Sequence, residues 1–213
     1  MKKSILFFIL LAFMACQNSN PLLTEQQTPF GVPAFDKIKV EHYMPAFEAA
    51  IQANQAEIDA IVNNPAAPTF ENTVEALDRT GELLDKVVGV FFNVLEADGN
   101  DEMNKIAEQV TPMLSALSDG IILNDKLFQR VKAVYEQKDA LNLNPEQMRL
   151  LTETYKQFEQ NGANLSEDKK KRLMEINQEL GLLSLQFGNN VVAETNAYQL
   201  FITDENELKG LPE

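Results

Sequence analysis

From Met44 onward, apolar residues recur at steps of three and four and almost nowhere alternate, the period of amphipathic helices rather than of half-buried strands. The first such stretch predicts a helix over about Met44–Asn63, with Pro45 in its opening turn and Phe47, Ile51, Ile58 and Ile61 on one face. Asn63, Asn64 and Pro65 should stop it. Thr69 is a plausible N-cap for a second helix, along which Val74, Leu77, Leu84, Val88, Phe91 and Leu95 form a seam. Gly81 falls in the same series, where a small residue would let a neighbouring helix approach closely. Asp98, Gly99, Asn100 and Asp101 interrupt the pattern. It resumes through Met103, Ile106, Val110, Met113 and Leu117, in a third helix that Pro112 should kink or divide.

A fourth helix is predicted after Asn124, carrying Leu127, Phe128, Val131, Val134 and Tyr135. The fifth is marked at both ends, by Asn144 as cap with Pro145 in the first turn, and by Asn161 and Gly162 at its close; Met148, Leu151, Tyr155 and Phe158 lie between. Ser166 should cap the sixth, where Leu173, Ile176, Leu180, Leu183 and Phe187 repeat the spacing and imply burial against another helix. Tyr198–Ile202 reads as a short extended segment, and Asp204–Leu208 as a helical turn closed by Gly210. The predicted fold class is therefore all-α, a succession of antiparallel helices. Leu211, Pro212 and Glu213 carry no terminal cap or charged tail, and read as a cut through a longer chain.

The first thirty residues follow other rules. Lys2 and Lys3 precede ten uninterrupted apolar residues, Ile5 to Met14, and Ala15 precedes Cys16. Ten residues rise only about 15 Å as a helix, half of a hydrocarbon core of roughly 30 Å, so 1–15 reads as an export signal and not a membrane span. Because the sole cysteine directly follows the small residue, the segment resembles a bacterial lipoprotein signal, with Cys16 the lipidated N-terminus of the mature chain. Phe13 and Met14 depart from the residues usual there. Residues 16–31, rich in Asn, Ser, Gln and Thr with Pro21 and Pro29, read as a flexible tether to a domain over 32–213. The expected location is the cell envelope, facing the periplasm.

Composition adds bounds. With 45% hydrophobic residues the 213-residue chain can bury a sizeable core, and with one cysteine no internal disulfide can staple it. The formal charge of −14 becomes −16 once Lys2 and Lys3 are removed, which argues against nucleic acid and against electrostatic membrane binding. Membrane contact is expected only through Cys16. In the one basic cluster, Lys169–Arg172, Lys171 and Arg172 follow Glu167 and Asp168 by four residues in the favourable acid-first order, so the cluster reads as a solvated helix face.

Candidate chemistry is sparse. The single histidine, His42, lies in VEHYMPAF beside Glu41 and Tyr43, at the entrance of the first helix. A zinc helix of the H-E-x-x-H type needs two histidines four residues apart, and the carboxylate-and-His facial triad also needs two, so this chain holds neither. A structural role for His42, capping or hydrogen bonding at the helix entrance, is expected. No glycine-rich phosphate loop and no G-x-S-x-G turn occurs. An EF-hand counted from Asp98 would need glycine at Met103 and glutamate at Gln109; Asn100 or Asp101 as a helix cap is the expected role of that turn. Glu71 and Glu75 are expected on an exposed face.

Several separated blocks, in order, carry a resemblance: PAFDKIKVEHYMPAF, NNPAAPTFENTVEALDRTGELLDKVVGVFFN, NDEMNKIAEQV, LLTETYKQFEQNGANL, LMEINQELGLLSLQFGNNV and TDENELKGLPE. Together they resemble the N-terminal region of the zinc oligopeptidases of the thimet oligopeptidase type, above all the bacterial peptidyl-dipeptidase branch, also called dipeptidyl carboxypeptidases. The likeness covers about Pro33 to Glu213. It implies an almost wholly helical, two-lobed enzyme around a channel admitting oligopeptides, which releases C-terminal dipeptides with zinc held by H-E-x-x-H and a further glutamate downstream. None of those residues stands in this sequence, so by resemblance no catalytic or metal residue is expected here, and zinc and the catalytic region would be supplied by a longer protein. The alternative is a complete, non-catalytic helical lipoprotein that binds peptides or a partner protein.

Overall fold

The computed structural model describes residues 20–24 and 28–210. Among them the chain is all-α and holds no strand. The signal segment and Cys16 lie outside the described residues. Short 3-10 turns at Pro29–Gly31, Phe35–Lys37 and Val40–His42 lead into helix α1, Tyr43–Val62. Helix α2 opens as a π-helical turn, Phe70–Glu75, and closes as Ala76–Asp78. Then follow α3 (Glu82–Asp98), α4 (Asp101–Ile122), α5 (Asp125–Glu136), α6 (Pro145–Gln160) and α7 (Glu167–Ala197).

Side-chain caps set most helix starts. Asn100 Oδ1 accepts from the amides of Glu102 and Met103 at 3.0 Å, Asn124 from Leu127 at 3.0 Å, and Asn144 from Gln147 at 2.9 Å. Each satisfies a donor that the first turn leaves without an intrahelical partner. Thr69 forms a reciprocal pair with Asn72, whose amide lies 3.2 Å from Thr69 Oγ1. Ser166 precedes α7 without a side-chain capping bond.

One expectation about helix continuity fails, and of the two effects expected of Pro112 the division does not occur. The second predicted helix is two helices, because Gly81 adopts φ +85° and ends the first. Its amide donates to Glu57 Oε2 at 2.8 Å, tying the break to α1, and a Cβ there would meet Asn54 Nδ2 at 3.2 Å. The small residue does permit a close approach, but it also punctuates. Gly81→Ala should cost about 1–2 kcal/mol, the penalty of a left-handed backbone with a Cβ, measurable by urea denaturation. In the opposite direction, α4 runs through Pro112 undivided. Packing on both flanks, with Val110 buried before the proline and Leu117 after it, holds the helix together across one missing backbone donor.

The core has three parts. Tyr43, Phe47 and Ala50 from the first half of α1 meet Val87, Val90 and Phe91 of α3 and Met103, Ala107 and Val110 of α4. Ile58 and Ile61, from the second half of α1, meet Leu127, Phe128 and Val131 of α5 and Phe158 of α6. Phe70 and Val74 of α2 pack with Val134 and Leu151. Thus α1 serves two clusters, and Ile121 of α4 touches both. Arg130 closes the connection between α1 and α2, donating to the carbonyls of Asn64 and Ala66 at 3.0 and 3.2 Å and to Asn72 Oδ1 at 3.1 Å.

The polar segment read as tether is partly docked. Leu22 is fully buried in the first cluster, Asn20 Nδ2 donates to the His42 carbonyl at 2.7 Å, and Lys86 Nζ donates to the Thr24 carbonyl at 2.7 Å. Polar neighbours masked one apolar anchor. The compact domain therefore begins before residue 32.

Candidate functional site

His42 belongs to the helix entrance. Its Nδ1 accepts from the Lys39 amide at 3.0 Å, closing the 3-10 turn, and its carbonyl receives Asn20. Tyr43 beside it is buried against Phe91, and burial pushes its phenol above the ordinary range, so it holds its proton at neutral pH. Glu41 pairs instead with Lys39 at 3.7 Å on the surface. The three side-by-side polar groups of VEHYMPAF thus point to different partners and build no reacting centre.

The other sequence candidates resolve in the same way. In the turn Asp98–Glu102, Asn100 caps α4. Glu71 is exposed, whereas Glu75 is half-buried and pairs with Arg79 four residues on. The basic cluster is not wholly a solvated face. Lys169, Lys171 and Arg172 are exposed, but Lys170 is 4% exposed, paired with Asp125 and donating to the Leu123 carbonyl at 3.1 Å. It pins the start of α7 to the start of α5. Among the described residues, no group of three or more His, Cys, Asp or Glu is placed to hold a metal ion. The zinc implied by the resemblance does not fit any described part of this chain.

The surface that stands out is α7. Asn177 Nδ2 donates to Asp119 Oδ1 at 2.6 Å, and Gly181 lies against Thr111, so α7 runs antiparallel to α4. The stripe facing the protein passes through Lys170, Leu173, Asn177, Gly181 and Leu185, at helical spacing. The predicted seam points elsewhere: Ile176, Leu180, Leu183 and Phe187 are exposed, Phe187 by 70%. The expectation that this seam buries α7 against a neighbour is overturned within the described residues. The physical reason is that the stripe packed on the neighbouring helices is held by Lys170, Asn177 and the small Gly181, while the more apolar face is left uncovered among the described residues.

After Leu185 every described side chain is exposed, including Val191, Val192, Tyr198, Leu200 and Phe201. Tyr198–Ile202 forms no strand. At the end, Asp204 accepts from the Asn206 amide at 2.9 Å, which holds its carboxyl below the usual range, and the turn Glu205–Leu208 leads to Gly210 at φ +101°. The exposed large apolar side chains of α7 and of the segment after it mark a candidate interface. Beside it lies a cleft of about 510 Å³ between α4, α6 and α7, bordered by Asp119, Gln157, Asn161, Leu173 and Asn177. Asp119 is 6% exposed and its Oδ2 has no hydrogen-bond partner among the described residues. No helix among the described residues is long and apolar enough to cross a membrane.

In comparison with known proteins, the chain is similar to dipeptidyl carboxypeptidases and to oligopeptidase A over a part of their length. It is 42% identical to dipeptidyl carboxypeptidase of Salmonella typhimurium over 194 residues, 91% of this chain and 28% of that protein. Identity to the Escherichia coli dipeptidyl carboxypeptidase is 38% over the same share of each. To Escherichia coli oligopeptidase A it is 29% over 92% of this chain and 28% of the relative. The chain thus spans little more than a quarter of the length of the curated relatives it matches. No family model matches it.

Proposed function

We propose that this chain is the N-terminal helical part of an exported peptidase that releases dipeptides from the C-termini of short oligopeptides. In this reading the zinc ligands and the general base lie in polypeptide beyond these residues, and no step of the hydrolysis is assigned to the described chain. The observation that carries the proposal is the 42% identity across nine tenths of this chain and only 28% of the relative. The uncovered face of α7 supports it, since Leu180, Leu183 and Phe187 would gain a partner from the remaining polypeptide. The chain's own contribution is then to wall the substrate channel and to hold α7 in place, through Lys170 at its start and Asn177 midway. Cys16 would carry the lipid that holds the protein in the cell envelope, facing the periplasm.

The test compares the 213-residue chain with the longest in-frame product of its gene, on an oligopeptide with a free C-terminus. The longer product is expected to release dipeptides until a chelator is added, and the 213-residue chain to release none. Chelator-sensitive release by the short chain would overturn the proposal. A stop codon directly after Glu213, with zinc-independent peptide binding by the short chain, would favour a non-catalytic peptide-binding lipoprotein instead.

A further inference from the structure

Asp119 of α4 is bonded through only one of its two oxygens. Asn177 Nδ2 of α7 donates to Oδ1 at 2.6 Å, while Oδ2 is closed to solvent and has no hydrogen-bond partner among the described residues. The residue is only 6% exposed. A buried carboxylate oxygen without a donor costs free energy, the more so when the group is charged. Such an oxygen in a folded chain calls for a partner.

Its surroundings define the chemistry of that partner. The cleft of about 510 Å³ that Asp119 and Asn177 border is also lined by Glu159 and by the apolar Ile122, Leu165 and Leu173. No described residue that lines it is basic. Two carboxylates without a cation, beside branched aliphatic side chains, fit a charged N–H group carried on an apolar stem. Because Oδ2 is closed to bulk water, a group that folds in place with the domain suits it better than a ligand that exchanges with solvent. The chain spans 28% of the length of its dipeptidyl carboxypeptidase relatives. On α7, the exposed Ile176 and Leu180 interleave with the cleft residues Leu173 and Asn177 at three- and four-residue steps, so the cleft adjoins the uncovered apolar face.

We infer that polypeptide outside these residues lays an arginine or lysine side chain into this cleft, its stem against Leu165 and Leu173 and its N–H groups on Asp119 Oδ2. The inference rests on the proposed function, in which such polypeptide exists. Asp119 then bonds to both parts of the protein at once, with Asn177 on Oδ1 and the incoming cation on Oδ2.

The experiment places Asp119→Asn in the 213-residue chain and in the longest in-frame product of its gene, and reads hydrogen exchange of the amides of residues 115–123 and 173–181 in both. Asparagine keeps an oxygen for Asn177 and removes the charge, so the two proteins should respond with opposite signs. In the short chain, exchange is expected to be unchanged or slower, because an uncompensated buried charge is gone. In the longer product it is expected to be about tenfold faster or more, the factor for losing a charge-assisted hydrogen bond. Faster exchange in the short chain as well would mean that Asp119 is satisfied within these residues. An unchanged rate in the longer product would mean that no cation meets Oδ2. Either result overturns the inference, and if the unsubstituted longer product still releases dipeptides the proposed function stands without it. Opposite signs in a longer product that releases no dipeptide would support the ion pair and sink the proposed function. A gene that stops after Glu213 removes both.

Discussion

Truncating Phe91 to alanine should lower the free energy of unfolding by about 3–5 kcal/mol, the range for removing a buried phenylalanine from a packed core. Phe91 is fully buried, and its ring meets Tyr43, Phe47 and Phe92 edge-on at centroid distances of 4.9, 5.2 and 5.0 Å. Such T-shaped contacts add to the apolar area removed from water, because the positive edge of one ring lies on the negative face of another. The neighbours come from both α1 and α3, so the vacated space cannot close by a rotamer change on one helix. Urea denaturation followed by circular dichroism would show the midpoint falling with an unchanged slope. A loss below about 1 kcal/mol would mean that the α1–α3 contact is not close-packed.

Replacing Leu22 by alanine should give the second large effect, about 2–3 kcal/mol, near the lower end for burying a leucine side chain and then leaving a cavity. A ceiling applies here that does not apply at Phe91. Asn20–Thr24 can leave the core by itself, so the loss cannot exceed the free energy with which that segment docks. The signature is therefore local: amides of residues 20–24 should exchange faster with solvent, and protease should cut near Thr24, while the helical signal stays. If Leu22→Ala unfolded the whole domain at once, the segment would be an integral part of the first cluster and not a clasp on it. The same measurement made on Lys86→Ala, which removes the bond to the Thr24 carbonyl, should move exchange in the same direction by less.

The helices were legible because their signals are local. Asn144 with Pro145, Asn124, Thr69 and Asn100 each satisfy backbone donors within three residues of themselves, and short-range chemistry of that kind can be read from sequence alone. What the pattern hid was long-range. Gly81 fits the apolar seam by spacing, yet its role is set by Glu57, 24 residues away. Lys170 looks like one member of a basic run until Asp125 and the Leu123 carbonyl close around it. Leu22 is a single apolar anchor in polar company, too short for any period to register. Arg130 carries no signal at all: only the fold brings the carbonyls of Asn64 and Ala66 to its guanidinium.

The sixth predicted helix forms, but its apolar spacing does not mark the buried face: Ile176, Leu180, Leu183 and Phe187 are exposed among the described residues. Periodicity reports where apolar residues align and does not report what covers them. His42 accepts from the Lys39 amide and so closes a 3-10 turn, a short-range bond at the helix entrance.

The double service of α1 bears on how the molecule comes together. Phe47 and Ile58 stand three turns apart on one rod, each at the centre of a different cluster. The first cluster joins α1 to α3 and α4, the nearer helices along the chain, while the second joins it to α5 and α6, which lie farther on. Contacts over shorter stretches of chain cost less loop entropy and form sooner, so Phe47 and Ala50 can pair early with α3 and α4. Once that end of α1 is gripped, its other end presents Ile58 and Ile61 to α5 and α6, and the two clusters fold as partners rather than as rivals for the same helix.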